Sequence, residues 1–220
     1  MKRFVIIIAL IFLSSCATGQ KAGHVPPAGG EYVTASWYGQ DFHGRPTSCG
    51  ERYDMYGLTA AHKTMKFGTR LRVTNPDNNK SADVTVNDRG PFIPGRDLDL
   101  SYGAAKAIGM EIKGVGRVKI EYLDRDMRYV KRLPYEPVKP SAPEGAYTIQ
   151  AGSFIEQDNA LRLKQGLLLS YNDVFITTAD INGQKFFRVR VGRFNTYDSA
   201  YSVAQKLADE GYSTFITARN

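Results

Sequence analysis

The sequence predicts a mainly β N-terminal domain followed by a smaller α+β domain, and three observations carry that prediction. Short segments of period-two hydrophobic alternation, punctuated by glycines, crowd residues 31–123, as in a small closed barrel. Residues 145–220 read instead as strand, helix, strand, strand, helix, strand, which gives a four-stranded antiparallel sheet with both helices on one face. Between them, 124–144 holds four prolines and little periodicity, the composition of a semi-extended linker.

The chain opens with elements that belong to neither domain. Lys2 and Arg3 precede the apolar run Phe4–Leu13, which ends in Ser14-Ser15-Cys16. A charged start, an apolar stretch too short to span a bilayer and a small-residue exit describe a secretory leader over 1–15. Leu13-Ser14-Ser15-Cys16 also resembles the bacterial lipobox, which implies that Cys16 becomes the lipidated N-terminus. Ala17 rather than Asp follows, and by resemblance to Gram-negative lipoproteins that implies an outer-membrane anchor facing the periplasm. The alternative is ordinary secretion with a free Cys16. Residues 16–30, small, polar and rich in Pro and Gly, read as a tether.

In the first domain, strands are expected at Thr34–Tyr38, Arg70–Thr74, Ala82–Val86 and Arg117–Glu121, each alternating with period two. One helix is expected from Tyr102 to Ile108, with Ser101 as N-cap and Gly109 just past its end. Arg70-Leu71-Arg72-Val73 echoes Arg117-Val118-Lys119-Ile120, a hint of a duplicated barrel half. The second domain is expected to run strand Tyr147–Ala151, helix Glu156–Ser170 with Ala160, Leu161, Leu163, Leu167 and Leu168 on its apolar side, then strands Val174–Thr178 and Phe186–Val191 about an Asn182-Gly183 turn. A helix Thr196–Glu210, opened by Asn195 or Thr196, and strand Thr214–Thr217 complete it.

Charge and cysteine usage narrow the function. The formal charge of +7 falls by two units once Lys2 and Arg3 leave with the leader, and a basic exported chain meets anionic wall polymer or lipid rather than nucleic acid. The sheet order also suits an RNA-binding fold, but the glycine-aromatic RNP1 pattern is missing. With Cys16 lipidated, Cys49 has no disulfide partner and is either a small buried residue or a surface thiol.

Asp88 is the first candidate for chemistry. Its strand parity matches Val84 and Val86, so it faces the apolar side at a strand end, where Gly90-Pro91 opens a rim. A half-desolvated carboxyl there has a raised pKa, as a general acid needs, unless Arg89 folds back on it. Its alternative is an Asp that accepts turn hydrogen bonds. Glu51 and His62 are the next candidates, on separate loops; Asp99, of parity opposite to Leu98 and Leu100, reads as an outward structural group. A metal site from His43, Glu51, His62 and Asp88 lacks HxH or HExxH spacing, so no metal or cofactor is expected.

Ala35-Ser36-Trp37-Tyr38-Gly39, Phe42-His43-Gly44-Arg45-Pro46-Thr47, Gly50-Glu51-Arg52-Tyr53-Asp54, Leu58-Thr59-Ala60-Ala61-His62, Val86-Asn87-Asp88-Arg89-Gly90-Pro91-Phe92 and Gly95–Ser101 closely resemble the rare lipoprotein A family, in order, through nearly all of 33–123. The resemblance implies a double-psi β-barrel shared with expansins and a class of lytic transglycosylases, some members cleaving peptidoglycan glycan and others binding it. It implies Asp88 as acid/base with Glu51 and His62 as partners; Cys49 departs from the small or amide residue expected there. Tyr147–Phe154 and Phe187–Phe194 resemble the two strand signatures of the sporulation-related (SPOR) domain, which implies binding of peptide-stripped glycan strands at the division septum. Strand parity leaves Gln150, Phe186, Arg188 and Arg190 on the open face, and with Ser153 of the signature they form the candidate glycan-binding set. The function implied is a septal lytic transglycosylase forming 1,6-anhydroMurNAc ends on denuded strands, alongside septal protein partners. The alternative is a non-catalytic or expansin-like wall binder.

Overall fold

The computed structural model describes residues 26–133 and 147–218; the leader, Cys16 and 134–146 lie outside the described residues. Six strands close the first domain: β1 (Glu31–Trp37), β2 (Thr59–His62), β3 (Thr69–Thr74), β4 (Ser81–Asp88), β5 (Leu98–Leu100) and β6 (Val115–Arg125), in the order β1-β5-β2-β4-β3-β6. β1 with β5 and β2 with β4 run parallel, and the other neighbours antiparallel. Exchanging β1 with β4, β2 with β5 and β3 with β6 leaves this pairing scheme unchanged, the symmetry of two fused halves. The echoed segments lie in β3 and β6, which pair with each other.

Period-two alternation fills the barrel because alternate side chains point inward. Leu71, Val73, Val84, Val86, Leu98, Leu100, Val118 and Ile120 are all fully buried, each worth roughly 1.5–3 kcal/mol of transfer free energy. The strands expected from sequence appear, mostly longer, while β2 and β5 were not among them. Four and three residues are too few for alternation to mark a strand by itself, and these strands exist because their neighbours supply hydrogen bonds on both sides. α1 (Tyr102–Ala107) starts as expected, the Ser101 hydroxyl accepting the Ala104 N–H at 3.2 Å.

The second domain follows the expected order: β7 (Tyr147–Phe154), α2 (Gln157–Leu168), β8 (Val174–Ile181), β9 (Gln184–Phe194), α3 (Tyr197–Glu210) and β10 (Phe215–Ala218). Its sheet order is β10-β7-β9-β8, antiparallel throughout. Asn182 and Gly183 both take positive φ at the β8–β9 turn. Leu161 and Leu168 depart from expectation: the buried stripe of α2 is Ala160, Leu163 and Leu167, at i, i+3 and i+7, and the two leucines one step round the helix remain 39% and 44% exposed.

The domains meet along a packed seam. Cys49 and Phe67 of the barrel join the core of the second domain, and Phe67 meets Tyr212 edge-on, ring centroids 4.9 Å apart. β6 runs to Arg125, and the residues after it turn back onto the seam, with Tyr129 and Leu133 against the second core and the Lys131 N–H on the Ala208 carbonyl at 2.9 Å. Phe67 N–H donates to the Glu210 carbonyl at 2.9 Å, and Lys66 and Arg125 pair with Asp209. Gly211 ends α3 at φ +104°, where a Cβ would come within 2.8 Å of the Phe67 side chain, so both conformation and space call for glycine.

Candidate active site

The end of β4 builds the site. Asp88 lies opposite Ala61 of β2, past a register shift between Ala60 and Ala61, and the chain leaves through a cis Gly90–Pro91 bond. A groove of about 220 Å³ opens here, lined by Asp88, Tyr38, Phe92, Arg96 and Asp99 of the barrel and Arg162 of α2. Asp88 Oδ1 accepts the Ser48 and Arg89 backbone N–H groups, both at 2.8 Å. The turn-capping alternative is therefore part of the structure, but both backbone bonds fall on one oxygen. Burial raises the Asp88 pKa, and the hydrogen bonds from the Ser48 backbone and side chain and from the Arg89 N–H, with the charge of Arg162, only partly oppose it. A carboxyl set this way holds a proton more readily than a solvated one.

Arg89 does not fold back on Asp88. Its guanidinium lies 3.7 Å from the Phe67 ring centroid, donates to the Tyr212 hydroxyl at 2.6 Å and to the Met65 carbonyl at 2.8 Å, and so is spent in the seam. Tyr38 enters the groove as a neutral phenol: burial, then the charge of Asp88, holds its pKa well above the ordinary value. Asp99 points out of the barrel as its parity requires, yet it is no remote structural group. It lines the groove, bonded by the Ser36 hydroxyl and gripped by Arg96 Nη2 at 3.0 and 3.2 Å. The Leu-Asp-Leu alternation signalled its direction; that the groove runs along the outside of β5 was beyond any one strand's pattern.

The other two candidates do not line this groove. Glu51 is exposed, its Oε2 accepting Asn87 Nδ2 and the Tyr129 hydroxyl, each at 2.9 Å. It touches the residue beside Asp88 rather than Asp88 itself. His62 is buried, and its Nδ1 accepts the Thr64 and Met65 N–H groups at 3.1 and 3.0 Å, so that nitrogen braces the turn after β2. Among the described residues no three His, Cys, Asp or Glu side chains converge as metal ligands, and His43 lies apart, near Asp54 at 3.9 Å. Cys49 is the buried residue of the two alternatives, its thiol pushed up to about 11, chiefly by burial.

On the second domain, Gln150 lies opposite Arg190 and Ser153 opposite Arg188. The register shift in β7 between Gln150 and Gly152 brings Ser153 to the same face as Gln150, which plain alternation would not do. Phe186, opposite Ala179, extends that face. Arg190 is less available than its parity suggested: only 9% exposed, it donates through Nε to the Thr177 hydroxyl at 2.9 Å, with Nη1 unpaired among the described residues. A second cavity, about 340 Å³, joins Gln150 and Ser153 to barrel residues Ser48 and Gly50.

Known proteins match both halves. The family described as "Lytic transglycolase" matches residues 31–120 and the SPOR domain matches 143–218. The "Endolytic peptidoglycan transglycosylase RlpA" of Vibrio cholerae is 39% identical over 187 residues, 84% of this chain and 68% of that protein. The protein of the same name in Pseudomonas aeruginosa is 46% identical over 132 residues, 60% of this chain and 38% of that protein, so the match spans little more than a third of the relative. An expansin of Clavibacter michiganensis superposes with a TM-score of 0.39 and 15% identity, over 87% of this chain and 80% of that one.

Proposed function

The chain belongs to the RlpA family, and from that premise we propose that it is a lytic transglycosylase acting on the MurNAc–GlcNAc bonds of peptidoglycan. The observation that carries this reading is Asp88, half-buried at a groove wall with its pKa raised by burial. A protonated Asp88 gives its proton to the glycosidic oxygen as positive charge develops at the MurNAc anomeric carbon. The resulting carboxylate then takes the proton of the same sugar's C6 hydroxyl while that oxygen bonds to the anomeric carbon, closing the 1,6-anhydro ring. The proton count balances through one side chain, and because no water is activated a second spaced carboxylate is not required. Tyr38, a neutral O–H donor, and Phe92 offer a sugar ring a polar contact and an apolar face.

We propose further that the substrate is strands stripped of peptide at the division septum, held by Gln150, Ser153, Phe186, Arg188 and Arg190. The leader composition and Cys16 support a lipid anchor in the outer membrane, with the enzyme facing the periplasm. Holding the strand on one domain raises its concentration at the other without any new catalytic contact.

One observation favours a second reading, a wall binder that does not cut: neither Glu51 nor His62 lines the groove. Digestion of peptide-free glycan with mass analysis of the products separates the two. Anhydro-ended fragments are expected, with Asp88→Asn slowing their release by about 10³-fold. Intact strands from the wild type, or undiminished cutting by Asp88→Asn, overturn the assignment.

A further inference from the structure

The catalytic groove contains a side chain from the other domain. Arg162, near the middle of α2, is half-buried and lines the same space as Asp88, Tyr38 and Phe92. Its guanidinium lies over the Phe42 ring, 5.1 Å from the centroid, and bonds to Asn159 Oδ1 one turn earlier on its helix. The helix position is set by the seam. Gly166, four residues on and therefore on the same helix face, lies so close to Arg89 that a Cβ would come within 2.7 Å of its side chain. The face of α2 that Arg89 receives is thus the face that delivers Arg162 to the groove.

The charges around Arg162 indicate what it would take. Arg96, another cation of the groove, is engaged by Asp99 through both carboxylate oxygens. Arg89 also lines the groove, but its guanidinium is bonded to Tyr212 and to the Met65 carbonyl in the seam. Among the described residues Arg162 makes no ion pair within 4 Å, although its charge reaches Asp88 and lowers that carboxyl's pKa against burial. A planar, multi-donor cation stacked on an aromatic ring thus stands beside the proposed acid/base with donors to spare for a second carboxylate. Its natural counterpart is a carboxylate held by the substrate.

Building on the proposed glycan cleavage, we propose that Arg162 receives the free lactyl carboxylate of a MurNAc residue in the groove, and that the second domain thereby helps select the strand that is cut. A stem peptide converts that carboxylate into a neutral amide and adds bulk at the same point. One guanidinium then distinguishes stripped from substituted strands at the bond being broken, apart from any choice made on the open sheet face.

The test uses the purified protein and peptide-free glycan in two forms, one with native lactyl carboxylates and one with them converted to neutral methylamides. The wild type is expected to cut the native form about 10-fold better in kcat/KM, the size of one partly solvated charge-assisted contact. Arg162→Gln is expected to bring the two forms to one rate, and Arg162→Lys to restore part of the preference. A native-to-amide ratio in Arg162→Gln equal to that of the wild type overturns the proposal. An effect exerted only through Asp88 would slow both forms alike, and that outcome overturns it too. The same pairs are measured as calorimetric affinities in the Asp88→Asn background. If the wild type cuts neither form, the lytic reading falls, and the affinity ratio with and without Arg162→Gln decides the inference by itself.

Discussion

Asp88 and Arg89 are consecutive residues that serve opposite regions, the groove and the seam between domains. Both regions withdraw ionisable groups from water, but they meet the cost differently. In the seam a buried guanidinium is met by an aromatic face, a phenol and a backbone carbonyl, so the charge is well accommodated. In the groove the Asp88 carboxyl receives backbone bonds on one oxygen and keeps a pKa raised by burial. The seam spends its charge on packing between the domains, whereas the groove keeps a carboxyl whose pKa is raised, as the proposed proton transfer requires.

Breaking the seam side should have the largest effect on stability. Arg89→Ala strands the Tyr212 hydroxyl and the Met65 carbonyl and removes the cation from the Phe67 face. Urea unfolding is expected to show a loss of about 3–5 kcal/mol, with both domains exposed to limited proteolysis. A loss confined to a few tenths would mean that the seam contributes little. Gly166→Ala should cost less, about 1–3 kcal/mol by overpacking against Arg89, and should also lower the proposed glycan cleavage, because Arg162 moves with its helix.

The groove side predicts an effect of the other sign. With a folded pKa above the unfolded one, ionised Asp88 costs stability at neutral pH, and the cost disappears as pH falls below the ordinary carboxylate value of about 4. Asp88→Asn, which still accepts from Ser48 and Arg89, is therefore expected to raise Tm at pH 7 and to match the wild type near pH 3. A variant less stable than the wild type at pH 7 would mean that the carboxylate is held for structure, and the contrast with Arg89 would vanish.

Much of this was legible in the chain. The long strands and both helices of the second domain announce themselves because each buries one periodic face, Ser101 caps its helix as its position suggests, and of Asn195 and Thr196 it is Thr196 that caps the last helix. β2 was not legible and β5 showed only in the parity of Leu98, Asp99 and Leu100, since so short a strand is stabilised by its neighbours rather than by its own pattern. Asp88 was legible from parity beside a glycine-proline exit. The direction taken by Arg89 was not, because the rings that receive it come from Phe67 and from Tyr212, more than 120 residues on. Glu51 and His62 were singled out by residue type and by family resemblance, and neither criterion contains the bonds they make, Glu51 with Asn87 and Tyr129 and His62 with the turn after β2.

The sequence by itself determined the two-domain order, the barrel and sheet classes, the rim carboxyl and the aromatic-basic strand face, because these depend on local alternation, capping and turn chemistry. Only the tertiary structure decided that Asp99 belongs to the groove, that Arg190 is largely covered and that a helix of one domain places Arg162 beside Asp88 in the other. Those outcomes depend on desolvation and close packing between segments far apart in the chain, and neither quantity exists until the segments meet.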